Sequence, residues 1–181
     1  MEEKFRQIKA EYDKFYRDFL KKGQLPMGDT EAGFWGTAAT DDIMELFRKI
    51  HLEKFESFID LGSGDGKVVL IASLFTKAAG IEFDKDLHAK AVEIREKVGI
   101  SAERAELICG DFLKHDLSKY DIVFINPDKS FDRGLEEKLK KELKGILLVY
   151  NMVYAPDSMK KDKTYWLGET AQTPATVYTL K

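Results

Sequence analysis

Short apolar runs alternate with amphipathic segments over most of this chain. The runs have the length of buried β-strands and are bounded by polar or turn residues. They cover residues 58–61, 78–82, 105–109, 121–125 and 146–149. The amphipathic segments repeat apolar residues every three or four positions, which predicts helices. They cover residues 5–19, 43–50, 87–98 and 135–143.

This order of elements predicts an α/β fold. Strands that alternate with helices form a mainly parallel sheet covered on both faces, so we expect a three-layer α/β/α sandwich. Two β-rich segments near the end, 164–167 and 175–180, are separated by a polar turn and predict a closing hairpin. The 181 residues suit one domain (1–181), made of an N-terminal amphipathic helix (1–23) and a core (30–181).

The first core strand ends in a glycine-rich turn, Asp-Leu-Gly-Ser-Gly-Asp-Gly at residues 60–66. Glycines let a strand-to-helix turn take positive φ and let a flat ligand approach the main chain. The dinucleotide fingerprint needs a further glycine where this chain has Lys67. Asp60 and Asp65 would also repel a pyrophosphate held at the helix N-terminus. The turn therefore favours a cationic ligand.

This turn resembles motif I of the class I, seven-strand, Rossmann-like S-adenosylmethionine-dependent methyltransferases, in which a second acid follows about 16 to 20 residues later. The resemblance implies a seven-stranded sheet with a C-terminal antiparallel hairpin and S-adenosyl-L-methionine as the cofactor. Glu82 is the expected second acid, since a carboxylate can accept hydrogen bonds from both ribose hydroxyls. Asp84 is instead predicted to cap the following helix. The expected cofactor contacts in the turn are Asp60, Gly62, Ser63, Gly64 and Gly66.

Two other segments are similar to cofactor-binding elements of this family. Asp111 follows the third strand, where the family has an aspartate that accepts a hydrogen bond from the adenine amino group. The next residue, Phe112, is expected to offer its backbone N–H to the ring. Thr37 and Trp35 resemble the segment before the first helix of seven-strand protein-lysine methyltransferases, where a threonine reaches the methionine end and an aromatic residue forms the pocket wall. Ala38 stands where that family has a proline.

The fourth strand ends in Asn126-Pro127-Asp128, the predicted reaction centre. The segment resembles the Asn/Asp-Pro-Pro-aromatic signature of amino-group methyltransferases, in which the amide oxygen and the proline carbonyl accept hydrogen bonds from the nitrogen. Asp128 replaces the second proline and is expected to hold an incoming ammonium or to take up its proton. The aromatic residue is displaced to Phe131, which argues against stacking on a flat base.

The resemblance implies an S-adenosylmethionine-dependent N-methyltransferase, similar to small prokaryotic and archaeal protein-lysine methyltransferases. A protein substrate is expected, because the chain shows no separate domain for recognising DNA. RNA and small-molecule amines remain open as acceptors. A nicotinamide-dependent oxidoreductase and a non-catalytic cofactor-binding subunit are the alternatives from other classes.

Composition and charge give further expectations about partners, source, cellular location and metal binding. The net charge is −3 with no long basic tract, so charge alone does not indicate a nucleic-acid partner. Charged residues make up 34%, against about 25% in typical domains, and with few Asn and Gln this indicates a heat-adapted, thermophilic source. A charged N-terminus and the lack of a long apolar run predict a cytoplasmic protein with no membrane partner. The single Cys109 and three isolated histidines predict no metal site.

Overall fold

The computed structural model describes residues 1–31, 33–151, 153–170 and 172–181. Its helices are α1 (Glu2–Lys21), α2 (Thr40–Lys49), α3 (Lys67–Ala72), α4 (Lys85–Lys97) and α5 (Leu135–Glu142). Its strands are β1 (Met27–Asp29), β2 (Phe34–Gly36), β3 (Ser57–Leu61), β4 (Lys77–Glu82), β5 (Ala105–Cys109), β6 (Ile122–Ile125), β7 (Ile146–Tyr150), β8 (Lys160–Leu167) and β9 (Thr173–Thr179). Two short 3-10 helices span Leu52–Lys54 and Phe112–Lys114.

Seven strands form one sheet in the order β5-β4-β3-β6-β7-β9-β8, while β1 and β2 form a separate hairpin. The first five strands in that order run parallel, and β9 pairs antiparallel with both β7 and β8. This topology confirms the predicted α/β sandwich with a mainly parallel sheet and a C-terminal antiparallel hairpin. The chain runs outward from β3 to β4 and β5 and then crosses back to β6 on the other side of β3, and such a switch point opens a crevice at the carboxyl ends of the strands.

Apolar layers cover both faces of the sheet. Side chains alternate along a strand, so β3 sends Phe58 to one face and Ile59 to the other. On the first face Phe58 packs between Phe47 and Phe124, with ring centres 5.3 and 5.9 Å apart. Helices α1 to α4 contribute to this layer, and α5 contributes Leu135 and Leu139 to the other. The central strand is therefore buried on both sides, which holds the turn that follows it in a defined position.

Helix α1 packs across α3 and α4. It ends at Lys21, before Gly23, as the apolar stripe predicts. Its buried residues are Phe5, Ile8 and Tyr12. Because α3 begins directly after the glycine turn, this packing brings the N-terminal helix next to the predicted cofactor site.

In the described ranges, no helix is both long and apolar enough to cross a membrane. Over the same ranges, no three His, Cys, Asp or Glu side chains are grouped so that they could hold a metal ion. The cytoplasmic location and the metal-free chemistry stay predictions.

Candidate cofactor and acceptor site

The candidate residues follow four neighbouring parallel strands of the sheet. Asp60 lies near the end of β3, Glu82 ends β4, Asp111 follows β5 and Asn126 follows β6. Parallel strands present their carboxyl ends at one edge of a sheet, so the fold brings these residues to a common edge. The glycine turn follows the central strand β3. It therefore lies between Glu82 and Asp111 on one side and Asn126 on the other.

The glycine turn is held against the neighbouring strand β4. The backbone N–H groups of Gly62 and Ser63 both donate to the carbonyl of Ile81, at 2.9 Å each. The φ angle of Gly62 is 73°, in the left-handed region that favours glycine. A Cβ built on Gly62 would meet no atom within 4 Å, so this side of the turn faces open space where a ligand can approach.

The other two glycines allow close approach of protein groups. A Cβ on Gly64 would lie 2.8 Å from Cδ1 of Trp35, and a Cβ on Gly66 would lie 2.6 Å from the Cβ of Ala91 in α4. Real Cβ atoms do not approach other atoms so closely. Gly64 therefore lets the Trp35 ring lie on the turn, and Gly66 lets α4 pack beneath it.

The carboxylate of Glu82 joins the glycine turn to the start of α4. Its Oε2 accepts a hydrogen bond from Gly64 N and its Oε1 accepts one from Asp84 N, both at 2.7 Å. A carboxylate offers about four lone-pair positions, and these bonds use two of them. The other two match the number of hydroxyls on a ribose. Glu82 therefore lies against the glycine turn with two accepting positions left over, and its contact with a ribose stays a prediction.

Asp84 caps helix α4, which confirms the sequence prediction. Its Oδ1 accepts hydrogen bonds from Asp86 N and Leu87 N, at 3.0 Å each. Because Asp84 binds its own helix, Glu82 is the acid of this segment that contacts the glycine turn.

Three carboxyl groups are buried beneath the turn, with Asp60, Asp65 and Glu82 exposed by 3%, 4% and 7%. Burial, followed by repulsion from Glu82 and Asp65, raises the pKa of Asp60 well above its usual range. Burial also raises the pKa of Asp65, although Lys67 opposes this effect. A positive charge beside Asp60 would relieve the repulsion, whereas a pyrophosphate would increase it. The electrostatics therefore fit a cationic cofactor.

Helix α1 reaches the turn through two tyrosines whose polar contacts the sequence analysis missed. The Tyr16 hydroxyl donates to Asp65 Oδ2 at 2.6 Å, and the Tyr12 hydroxyl donates to the Asp65 carbonyl at 2.8 Å. Lys67 is buried beside them, with Nζ 4.7 Å from the centre of the Tyr16 ring. Burial lowers the pKa of Lys67. The available signal was a pair of hydroxyl-bearing residues, four positions apart, within an otherwise apolar stripe.

Trp35 lies over the glycine turn and also packs against α1. Besides its contact with Gly64, its ring lies 6.3 and 5.8 Å from the rings of Phe15 and Phe19 in α1. Trp35 is therefore positioned as the sequence analysis expects of a pocket wall. Thr37 follows strand β2 and is half-buried. Direct contact of either residue with the cofactor stays a prediction.

Asp111 and Phe112 lie beyond the end of β5. Asp111 is half-buried and its Oδ1 accepts a hydrogen bond from Leu113 N at 2.9 Å, which caps the 3-10 helix Phe112–Lys114. The Phe112 side chain packs against the second apolar layer. Their contacts with an adenine ring stay predictions.

Asp128 connects the predicted reaction centre to the β1–β2 hairpin. It is exposed, and its Oδ2 accepts a hydrogen bond from Phe34 N at 2.7 Å. A Cβ on Gly33 would lie only 2.1 Å from the same oxygen, so a larger residue there would displace the Asp128 side chain. Asp128 therefore fastens the hairpin that carries Trp35 to the loop that carries Asn126.

Asn126 and Pro127 direct two oxygen atoms at a single nitrogen. The side-chain Nδ2 of Asn151 lies 2.6 Å from Asn126 Oδ1 and 3.2 Å from the Pro127 carbonyl oxygen. These are the two acceptors that the sequence analysis assigns to an amino nitrogen. Sequence reasoning missed Asn151, although it follows the end of β7 and is one of only two asparagines in the chain.

The fold and the glycine turn beside a buried acid define a class I S-adenosylmethionine-dependent methyltransferase. The family model described as histone methylation protein DOT1 matches residues 31–149, about two thirds of the chain. The chain belongs to this family, and its cofactor is S-adenosylmethionine. This assignment removes the nicotinamide-dependent oxidoreductase from consideration.

Solved methyltransferase structures share this fold. An RNA methyltransferase from Salinibacter ruber, in complex with S-adenosyl-L-homocysteine, is 21% identical with a TM-score of 0.64, over 80% of this chain and 94% of its own. The putative methyltransferase yhhF from Escherichia coli is 19% identical with a TM-score of 0.60, over 81% and 89%. Mitomycin 7-O-methyltransferase is 12% identical with a TM-score of 0.65, over 77% and 53%. No curated protein sequence matches the chain. At these identities the likeness shows the fold and not the acceptor.

The raised pKa of Asp60 predicts that folding and cofactor binding depend on pH in opposite directions. The folded carboxyl holds its proton more tightly than the unfolded one, so the free energy of unfolding without cofactor falls as pH rises through the raised pKa. A cation beside Asp60 favours the carboxylate. The affinity for S-adenosylmethionine therefore rises as pH rises over the interval between the pKa of the unfolded carboxyl and that of the folded one, and binding releases a proton. Calorimetric titration in two buffers with different ionisation enthalpies measures this proton.

The variant Asp60→Asn is the control, because it removes the titrating group at constant size. Without cofactor we expect it to unfold about 2–4 °C higher at neutral pH, the shift that about 1 kcal/mol produces in a domain of this size. It should bind S-adenosylmethionine more weakly, with a heat that no longer depends on the buffer. Wild-type heats that are the same in both buffers throughout this interval would contradict the role assigned to Asp60.

Proposed function

We propose that the protein transfers the methyl group of S-adenosylmethionine to an amino nitrogen, most simply that of a protein lysine. The observation that carries this proposal is the convergence of Asn126 Oδ1 and the Pro127 carbonyl on one N–H donor, which in this structure is the side-chain amide of Asn151. Two acceptors at one atom suit a nitrogen with at least two hydrogens. A hydroxyl has only one hydrogen to donate.

The bound cofactor supplies an activated methyl group on a positively charged sulfur. The chain must then align the acceptor, since an in-line displacement needs the attacking lone pair to point at the methyl carbon. A neutral lysine amine has two hydrogens and one lone pair. If both hydrogens are donated, to Asn126 Oδ1 and the Pro127 carbonyl, the lone pair points away from the two oxygens. These residues thereby orient the nucleophile.

Lysine must lose a proton before it can attack, because its ordinary pKa is about 10.4. Asp128 follows Pro127 and is exposed, so its carboxylate is accessible to an incoming ammonium. The charge attracts the protonated amine to the site, and the proton passes to Asp128 or to water before transfer. The bond from Phe34 N to Asp128 Oδ2 also makes this residue part of the hairpin attachment.

The position of Phe131 favours lysine over a nucleobase. It is only 6% exposed and belongs to the second apolar layer, so it does not present a ring to a flat base. Membership of a family described as a histone methylation protein supports the same acceptor. RNA is the second candidate, because a Salinibacter ruber RNA methyltransferase shares the fold over 94% of its length. In that case the half-exposed Phe34, next to Asp128, would be the stacking residue.

Transfer of tritium-labelled methyl groups tests this proposal. The purified chain is incubated with labelled S-adenosylmethionine and, separately, with protein, RNA and small-molecule fractions of a lysate. We expect label in protein, recovered as methylated lysine after acid hydrolysis. Label in RNA would support the second candidate. Cofactor binding by calorimetry without transfer to any fraction would contradict both and support a non-catalytic subunit.

A further inference from the structure

We propose that Asn151 is a positioning residue for methyl transfer, whose side-chain amide fixes the orientation of Asn126. This inference rests on the proposed function and extends it by one residue. The two side chains are the only asparagines of the chain, and they are hydrogen-bonded to each other at 2.6 Å. They belong to the ends of β6 and β7, neighbouring parallel strands.

The polarity of the Asn151 amide is set by the main chain. The backbone N–H of Val153 donates to Asn151 Oδ1 at 2.9 Å. A backbone N–H can only donate, so the end of the amide that faces it is the oxygen. The nitrogen end must then face Asn126 and Pro127, and both of the atoms it reaches are acceptors.

The fixed Asn151 amide in turn fixes the orientation of the Asn126 amide. A free asparagine amide can turn by half a rotation and exchange its oxygen and nitrogen. In the turned state, the Asn126 NH2 group would face the Asn151 NH2 group, and two donors would oppose each other. Leaving such partly buried donors unpaired disfavours that state by about tenfold or more. Asn151 therefore keeps the Asn126 oxygen directed to where the acceptor nitrogen binds.

The backbone of Asn151 indicates that the side chain is needed. Its φ angle is 92°, in the left-handed region where a non-glycine residue is strained. The residue is held there by its own N–H, which donates to the Pro174 carbonyl in β9 at 2.9 Å. Glycine would occupy this position without strain. An asparagine in its place gains the three side-chain hydrogen bonds described above.

Asn151 and the acceptor amine can bind the same oxygens together. Each carbonyl-type oxygen has two lone pairs, so Asn126 Oδ1 and the Pro127 carbonyl can each accept a second hydrogen bond. If the acceptor instead had to displace the Asn151 amide, the expected effect of removing that amide would be reversed. Removing the amide would then ease acceptor binding instead of slowing the reaction.

The kinetic test uses two substitutions of Asn151. Asn151→Gly suits the left-handed backbone, so relief of strain offsets part of the loss of three side-chain hydrogen bonds. We expect a folded protein with unchanged affinity for S-adenosylmethionine and with kcat lowered about tenfold. Asn151→Asp has the same size but cannot donate when ionised. It should lose more activity and regain part of it at low pH, where the protonated carboxyl can donate. Gln24→Glu makes a similar amide-to-acid change at an exposed position and should leave kcat and its pH profile unchanged.

A spectroscopic test does not depend on turnover. The chain has five side-chain amides, Asn126, Asn151 and glutamines at 7, 24 and 172, so their NH2 resonances can be assigned by substitution. In the wild type we expect slow solvent exchange for the Asn151 NH2 protons. In Asn151→Gly we expect the Asn126 NH2 resonances to shift and broaden as both orientations become populated.

The outcomes separate this inference from the proposed function. If the wild type methylates amines and Asn151→Gly has equal or higher kcat/KM for the acceptor, the amide is not a positioning group. Unchanged Asn126 resonances in Asn151→Gly would overturn the inference by themselves. If the wild type methylates no amine, the proposed function fails, and the spectra still decide whether Asn151 orients Asn126.

Discussion

Asn126→Ala is expected to lower kcat for methyl transfer by about a hundredfold, the effect of misplacing a reacting group by about 1 Å. The substitution removes one of the two oxygens that converge on Asn151 Nδ2 and that the proposed mechanism assigns to the acceptor amine, so the amine lone pair would no longer be aligned. Cofactor affinity should be unchanged, because Asn126 lies after β6 and the predicted cofactor contacts lie on or after β2, β3, β4 and β5. Steady-state rates at saturating cofactor, together with calorimetry, measure the two effects separately.

Asn126→Asp is the matched control for this result. It keeps an oxygen that can accept from both Asn151 and the acceptor, and we expect it to retain more activity than the alanine variant. Asn126→Ala also leaves the Asn151 amide with one acceptor fewer, so Tm must be measured for both variants. Wild-type kcat in a folded Asn126→Ala protein would refute the orienting role.

Glu82→Gln is expected to weaken binding of S-adenosylmethionine by about tenfold to a hundredfold, as expected when a hydrogen bond to a charged group is lost. An amide has only one accepting end. Its NH2 end would face either Gly64 N or Asp84 N, each of which now donates to a carboxylate oxygen at 2.7 Å. A ribose hydroxyl would lose its charged acceptor as well. Calorimetric titration with S-adenosylmethionine and with S-adenosylhomocysteine measures the loss.

Glu96→Gln is a suitable control, because it makes the same chemical change outside the site. Glu96 is exposed on α4. This variant should bind both ligands with wild-type affinity. Since Glu82 also supports the turn, a Tm for Glu82→Gln is needed to separate weaker binding from partial unfolding. Wild-type affinity in Glu82→Gln would show that the ribose is held elsewhere.

Much of the sheet could be predicted, because burial of a strand or helix leaves a periodic trace in neighbouring residues. The positions of Glu82 and Asn126 also follow from sequence, since the carboxyl ends of parallel strands meet at one edge. The hairpin of β1 and β2 was not predicted. Its strands, Met27–Asp29 and Phe34–Gly36, have three residues each, too few to show an alternating pattern.

The long-range partners of the Asn126 loop and of the glycine turn could not be predicted either. Asn151 and Asn126 are 25 positions apart and meet only because β7 pairs with β6. Tyr16 and Asp65 are 49 positions apart and meet because α1 crosses α3. The local sequence marks Tyr16 and Asn151 as polar residues in or next to predicted elements, but it does not name the distant residue that each one contacts.

By itself, the sequence determined the α/β fold class, the glycine turn and the acid that caps α4, because each depends on residues close together in the chain. The tertiary structure decided the electrostatics and the alignment of the site. The raised pKa of Asp60 comes from burial beside Glu82 and Asp65, and the orientation of Asn126 comes from contact with Asn151. Burial and hydrogen bonding between distant segments arise only when the strands assemble, so neither can be obtained from periodicity or motif spacing.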